Sequence, residues 1–274
     1  MIKDMKVDCF GLTDCGKVRK VNQDQFLIAT MHKMLEIQQT SLPNHTRERL
    51  TSGAVARLLL VADGVGGGAA GEEASGLALE AVAFYVTTSL QCFYKLEQDL
   101  EADLLNALEV SVHNSHRMVQ SAAASSPEYT GMATTLTVAH VLWPRIYIVH
   151  VGDSRAYMLR AGKLLQLTRD QTLAQGLVDE GVLTQDSAER SPLSHVLSSA
   201  VGKEISPAAS SVEVQSGDVL LLCTDGLTKH VTDDVIRRNL ILQEPAEDTC
   251  RSLVSEALED GGTDNITAVV CRFS

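Results

Sequence analysis

The stretch Leu58-Leu59-Leu60-Val61-Ala62-Asp63-Gly64-Val65-Gly66-Gly67-Gly68-Ala69 decides how this chain is read. Its first five side chains are all apolar, so the segment reads as a buried strand rather than a half-exposed one. It stops abruptly on Asp63-Gly64 and runs through glycines into a helix starting near Glu72. Acidic Glu72 and Glu73 complement the dipole of that helix. Two folds can use such a unit. Gly64-x-Gly66-x-x-Ala69 matches the dinucleotide fingerprint of a strand-helix-strand unit. Here, though, Asp63 would direct negative charge at a pyrophosphate, and a second helix (about 99–123) follows where that unit needs a strand. The glycines are better read as letting the chain turn sharply beneath bound cations.

A second apolar run, Val219-Leu220-Leu221-Leu222-Cys223-Thr224-Asp225-Gly226, ends in the same way. Asp-Gly alone is a common turn dipeptide. At the end of a buried strand, however, a carboxylate is costly unless a cation or several donors compensate it. Asp153 follows the run Ile146–Val151, and Asp264 precedes Ile266–Val270. Four carboxylates meeting at strand ends would raise one another's pKa, which implies divalent metal. An all-oxygen donor set favours Mg²⁺ or Mn²⁺ over zinc or copper. Two such ions about 3.5–4 Å apart can hold one shared water as an in-line nucleophile on phosphorus.

Around this centre the chain orders itself as α+β. Strands are expected at Val7–Leu12 and Phe26–Ala29, as an opening pair, and at 57–62. Helices follow near 72 and over about 99–123, where Leu100, Leu104, Leu108 and Val112 recur at spacing four. Strands then cluster at 134–142, 145–151, 155–160 and 163–167, and their short loops (Trp143-Pro144, Gly152-Asp153-Ser154, Ala161-Gly162) predict hairpins. Residues 170–206 look helical and loop-like. Strands at 209–214 and 218–224, helices near 232–240 and 245–260, and a strand at 265–272 complete the order. Two groups of antiparallel strands with helix pairs to cover them predict a layered sandwich in one domain spanning 1–274. Polar residues 31–53 read as a surface insertion.

Composition removes other classes. A net charge of −12 over 274 residues repels phosphate backbones, so nucleic acid is not an expected partner. The apolar segment Ala74–Tyr94 carries Glu80, and its uncharged part is only 14 residues. A membrane span needs about 20, so a core helix is expected instead. The Met1-Ile2-Lys3-Asp4 start has no apolar signal region, and the six cysteines form no C-x-x-C pair. Reduced thiols in a soluble, cytoplasmic protein are the resulting expectation. His113 and His116, three apart on a helix without a carboxylate partner, read as a solvated face.

The segment Thr13-Asp14-Cys15-Gly16-Lys17-Val18-Arg19-Lys20-Val21-Asn22-Gln23-Asp24 admits two readings. It is dense in turn residues, as a solvated hairpin loop would be. Alternatively, the planar fork of Arg19 holds two phosphate oxygens. Cys15 in this loop has no visible activating partner.

Taken together, Val18-Arg19-x-x-Asn22-Gln23-Asp24, Asp63-Gly64-Val65-Gly66-Gly67, Gly131-Met132-Ala133-Thr134-Thr135, Val151-Gly152-Asp153-Ser154-Arg155, Thr224-Asp225-Gly226-Leu227 and Gly262-Thr263-Asp264-Asn265-Ile266-Thr267 resemble the metal-dependent serine/threonine protein phosphatases of type 2C, in their bacterial form. The resemblance runs from about Val7 to Arg272. It implies a four-layer αββα sandwich, with two central antiparallel sheets flanked by helix pairs, and a binuclear Mn²⁺ or Mg²⁺ centre. By motif position Asp63 would bridge both ions and Gly64 would offer its carbonyl. Asp225 and Asp264 would hold one ion, Asp24 would act on the other partly through water, and Asp153 with Asp225 would match a weaker third-metal site. Arg19 would bind the substrate phosphate, and 168–200 would form a flap that selects substrates.

Phosphoserine and phosphothreonine proteins, including a serine/threonine kinase and its substrates, would be the partners of a monomeric enzyme. No C-x₅-R signature or Ser-His nucleophile is present, so direct attack by the metal-bridging water is the expected chemistry. The chain departs from the pattern at Val65 and Gln23, where animal members carry His and Glu. It departs again at Gly68 and Gln171, where bacterial members carry His. The general acid is thereby left unassigned. A phosphoprotein-binding pseudophosphatase and a phosphatase of small phosphoesters are the alternative readings.

Overall fold

Unbroken apolar strands need cover on both faces, and four layers provide it. The computed structural model describes residues 6–36, 49–66, 69–89 and 100–274. One antiparallel sheet runs β1 (Val7–Asp14), β11 (Ile266–Phe273), β10 (Val219–Cys223), β7 (Arg155–Arg160), β8 (Lys163–Gln166). The other runs β2 (Asp24–Glu36), β3 (Arg49–Val65), β5 (Leu136–Leu142), β6 (Arg145–Val151), β9 (Ala208–Glu213), and β4 (Ala133–Thr134) pairs the end of β3. Helices α1 (Ala69–Ser89) and α2 (Leu100–Ser125) cover the second sheet. The first is covered by α6 (Asp233–Ile241) and α7 (Ala246–Glu259).

The period-two geometry of a strand distributes its side chains between two cores. In β3, Leu58, Leu60 and Ala62 pack with Ala74, Val82 and Leu108 of the helices, while Leu59 and Val61 face the other sheet. In β10, Val219 and Leu221 meet Leu240 and Leu253 of the helices, while Leu220 and Leu222 fill the space between the sheets. Burying each such leucine stabilises the fold by about 1.5–3 kcal/mol. The α1–α2 pair is further joined by Ser115, whose hydroxyl donates to the Ala78 carbonyl at 3.0 Å.

Several sequence expectations change. Val7–Leu12 and Phe26–Ala29 do form strands, but they are not a pair: β1 pairs β11 and β2 pairs β3, in different sheets. The Trp143-Pro144 and Ala161-Gly162 loops close hairpins as expected. Gly152-Asp153-Ser154 does not; it carries the chain from β6 in one sheet to β7 in the other. Part of 31–53 is not an excursion, since β2 continues to Glu36 and β3 begins at Arg49 as a long hairpin. The rest of that segment, Gly67, Gly68 and Cys92 lie outside the described residues. Cys9 and Cys271 are joined in a disulfide, against the expectation of reduced thiols, because the β1–β11 register sets them directly opposite. Among the described residues, no helix is long and apolar enough to cross a membrane.

Candidate metal centre

Antiparallel pairing gathers the ends of β1, β3, β6 and β10 with the starts of β2, β5 and β11 at one edge of the sandwich. Asp24 and Asp63 are direct cross-strand partners. Asp225 follows β10 and Asp264 precedes β11, while Asp153 sits in the crossover between the sheets. A cleft of about 580 Å³ is lined by Asp63, Gly64, Asp153, Asp225, Asp264 and Arg19. Asp24 lies beneath it, only 2 % exposed. Both Asp-Gly glycines are required by close backbone approach. A Cβ on Gly64 would collide with the Gly71 carbonyl of α1, and one on Gly226 with the Asn265 carbonyl.

The electrostatics of the cluster are unfavourable for carboxylates alone. Burial, only partly offset by hydroxyl hydrogen bonds from Thr267 and Thr224, pushes Asp24 up to about 7. Burial and then repulsion from Asp24 and Asp225 hold Asp63 well above the usual carboxylate range. Burial followed by Asp225 lifts Asp153 to about 8. Two carboxylate oxygens, Asp24 Oδ1 and Asp225 Oδ1, are buried without a hydrogen-bond partner. All-oxygen donors, orphaned oxygens and mutual repulsion fit a hard divalent cation.

Two side-chain cations enter the cluster. Arg19 meets Asp264 with Nε at 2.8 Å and Nη2 at 3.0 Å. Lys229, at the end of a short helix α5 (Asp225–Thr228), places Nζ 2.7 Å from Asp225 Oδ2 and 2.8 Å from Asp264 Oδ2. Burial tends to raise Asp264, but hydrogen bonds from Lys229 and Arg19 outweigh it and hold the carboxyl below its ordinary value. Among the described residues, no three of the carboxylates stand as a finished ligand set for one ion.

Other residues hold the carboxylates in place, and sequence reading gave them no role. The Asn265 amide donates to the Cys15 and Val21 carbonyls, both at 3.0 Å, and its oxygen accepts from the Gln23 N–H at 2.9 Å. This one side chain therefore clamps the Arg19 loop onto the start of β11. The Thr135 hydroxyl accepts from the Asp63 N–H and also bonds the Ser154 hydroxyl, tying β3 to the crossover loop. Arg155 forks onto Asp170 and donates to the Tyr157 hydroxyl, which donates in turn to Asp233. On the α2 face His113 is exposed as expected, while His116 is half-buried and its Nδ1 accepts from the Gly202 N–H at 3.1 Å. Asn265, Thr135 and Arg155 all fall inside quoted motifs, which was the only signal available to find them.

A sequence profile described as Protein phosphatase 2C matches residues 44–263. The chain belongs to the protein phosphatase 2C family. It is 40% identical over 218 residues to the serine/threonine protein phosphatase PstP of Mycobacterium tuberculosis, covering 79% of this chain and 40% of that one. To the protein phosphatase PhpP of Streptococcus pneumoniae it is 31% identical over 266 residues, covering 96% of both. The crystal structure of the catalytic domain of PstP with two manganese ions superposes with a TM-score of 0.76, at 32% identity, covering 98% of this chain and 99% of that one. The chain thus spans well under half the length of the curated PstP sequence, yet nearly all of the PstP catalytic domain. In this protein phosphatase 2C chain the region 168–200 holds α3 (Leu173–Asp179), α4 (Gln185–Glu189) and a 3₁₀ turn (Pro192–His195). His195 through Ala200 wall the cleft.

Proposed function

We propose that this chain is a metal-dependent protein serine/threonine phosphatase that removes phosphate from phosphoserine and phosphothreonine directly, without a phosphoenzyme. The observation carrying the proposal is the convergence of four aspartates and Arg19 on one cleft with Asp24 buried beneath it, and two buried carboxylate oxygens unpartnered. Asp24, Asp63, Asp225, Asp264 and the Gly64 carbonyl would hold two ions, and Asp153 with Asp225 a third. Manganese is preferred to magnesium by analogy with the two ions in the PstP structure. Bound divalent ions supply charge neutralisation and an activated water.

The protein's own contribution is positioning. Arg19, half exposed, is oriented by its Nε and Nη2 bonds to Asp264, and the Nη1–Nη2 edge of the same guanidinium would meet the phosphate oxygens. The Thr224 and Thr267 hydroxyls, at 2.7 and 2.6 Å, fix Asp24 Oδ2 and leave Oδ1 aimed at the centre. Val65 offers no proton to the leaving group, and no side chain is assigned as general acid. The flap residues from His195 to Ala200 would select the segment flanking the phosphoresidue. The proposal also holds that the protein works as a cytoplasmic monomer opposite a serine/threonine kinase. The charge of −12 argues against nucleic acid as a partner.

Asp63→Asn and Asp225→Asn are expected to abolish Mn²⁺-dependent release of phosphate from a phosphothreonine peptide, and unchanged turnover in both would sink the mechanism. Phosphopeptide binding without phosphate release by the unmodified protein would establish the pseudophosphatase instead. Faster turnover of small phosphoesters than of phosphopeptides would move the substrate class.

A further inference from the structure

The Lys229 ammonium stands among the carboxylates rather than beside them. It bridges Asp225 Oδ2 and Asp264 Oδ2 at 2.7 and 2.8 Å, one residue from each of the two strands that frame this side of the cleft. Its backbone is fixed, since the Lys229 N–H donates to the Asp225 carbonyl at 2.8 Å in the turn of α5. Four residues on a helix place its side chain over Asp225, so the ammonium reaches both acids from one anchored backbone position. A surface ion pair would engage one carboxylate and contribute little. This lysine engages two, is three-quarters buried, and occupies one oxygen of each of two carboxylates that would hold a divalent ion.

We propose that Lys229 is a built-in counter-cation that competes with divalent metal for Asp225 and Asp264, and so sets how tightly this centre holds its ions. The inference rests on the metal reading of the cleft given above. The chemistry of the two cations in the cluster separates their roles. Arg19 grips Asp264 as a flat, preorganised fork. Lys229 is a point charge on a four-carbon stem with three rotatable donors, which can swing off its partners as metal arrives. Competition of this kind makes the centre weaker for metal than its count of five aspartates would imply, and it keeps Asp225 and Asp264 neutralised when metal is scarce.

The test is calorimetric titration of the folded protein with Mn²⁺. Lys229→Met and Lys229→Gln should each bind Mn²⁺ at least about tenfold more tightly than the unmodified protein, because both charge-assisted hydrogen bonds of the competitor are lost. Without metal, both should melt at a lower temperature. Lys203→Met removes a charge from the same cleft wall without touching the acids, and should leave the Mn²⁺ affinity unchanged. Unchanged affinity in both Lys229 variants, with normal uptake by the unmodified protein, overturns the inference alone. An equal gain in Lys203→Met would reduce Lys229 to general electrostatics and also overturn it. If the unmodified protein takes up no Mn²⁺, the metal reading falls and this inference with it.

Discussion

At the scale of single residues, the site depends as much on the side chains that brace the acids as on the acids themselves. Asn265 makes three hydrogen bonds that hold the Arg19 loop against β11. Its replacement in Asn265→Ala removes all three bonds, a loss of about 2–4 kcal/mol at roughly 1 kcal/mol or more per bond. Urea unfolding should show that loss, and KM for a phosphopeptide should rise with it as Arg19 loses its footing. Titration offers a second check at this scale. Asp24 and Asp153, raised to about 7 and about 8, bind protons in the folded protein that they release when unfolded. Their contribution to stability is therefore present at low pH and lost as pH rises through those values. The buried imidazoles of His140 and His150, lowered to about 4 by burial, act in the opposite sense and only below their unfolded value of 6.5. Between about pH 6.5 and 8 the carboxylates act unopposed. The melting temperature of chelator-treated protein should fall across that window, and saturating Mn²⁺ should remove the slope.

At the scale of elements, the segment 168–200 beside the cleft is secured near its start by Gln171. This residue exchanges backbone hydrogen bonds with the crossover loop and with Ser198. Its N–H donates to the Gly152 carbonyl at 2.7 Å, and its carbonyl accepts from the Ser198 N–H at 2.8 Å. The side chain adds two more, accepting from the Gly152 N–H at 3.0 Å and donating to the Ser206 carbonyl at 2.8 Å. Gln171→Leu leaves the Gly152 N–H unpaired, at about 1–3 kcal/mol. Hydrogen exchange over 171–200 should accelerate in this variant while exchange in β10 and β11 stays slow. Elements also show where sequence reading works. The strands were legible because burial on both faces leaves uninterrupted apolar runs such as Leu58–Ala62 and Val219–Cys223. Their partners were not, because a short loop announces a hairpin only when both strands share a sheet. Gly152, with φ of 109°, turns the chain out of one sheet and into the other within three residues. The short α5 carried no pattern of its own, so Lys229 was invisible until the backbone placed it over Asp225. The Cys9–Cys271 bond, 262 residues apart, lay beyond any local signal.

At the scale of the whole molecule, the centre is drawn from both sheets. Asp24 and Asp63 stand on one, Asp225 and Asp264 flank strands of the other, and Asp153 lies on the link between them. The last strand, β11, is central in its sheet, between β1 and β10. β1 has no other neighbour there, and its register with β11 runs from Val7 opposite Phe273 to Asp14 opposite Ile266. During synthesis, β1 must therefore wait for β11 before it can pair. Pairings this distant in sequence are slow to form, because the loop must close before the contact repays it. A nascent chain therefore carries β1 unpaired until β11 has been made. Because both sheets supply acids to the centre, that late pairing would delay the gathering of the candidate site, and a fragment lacking β11 would lack the strand that positions Asp264.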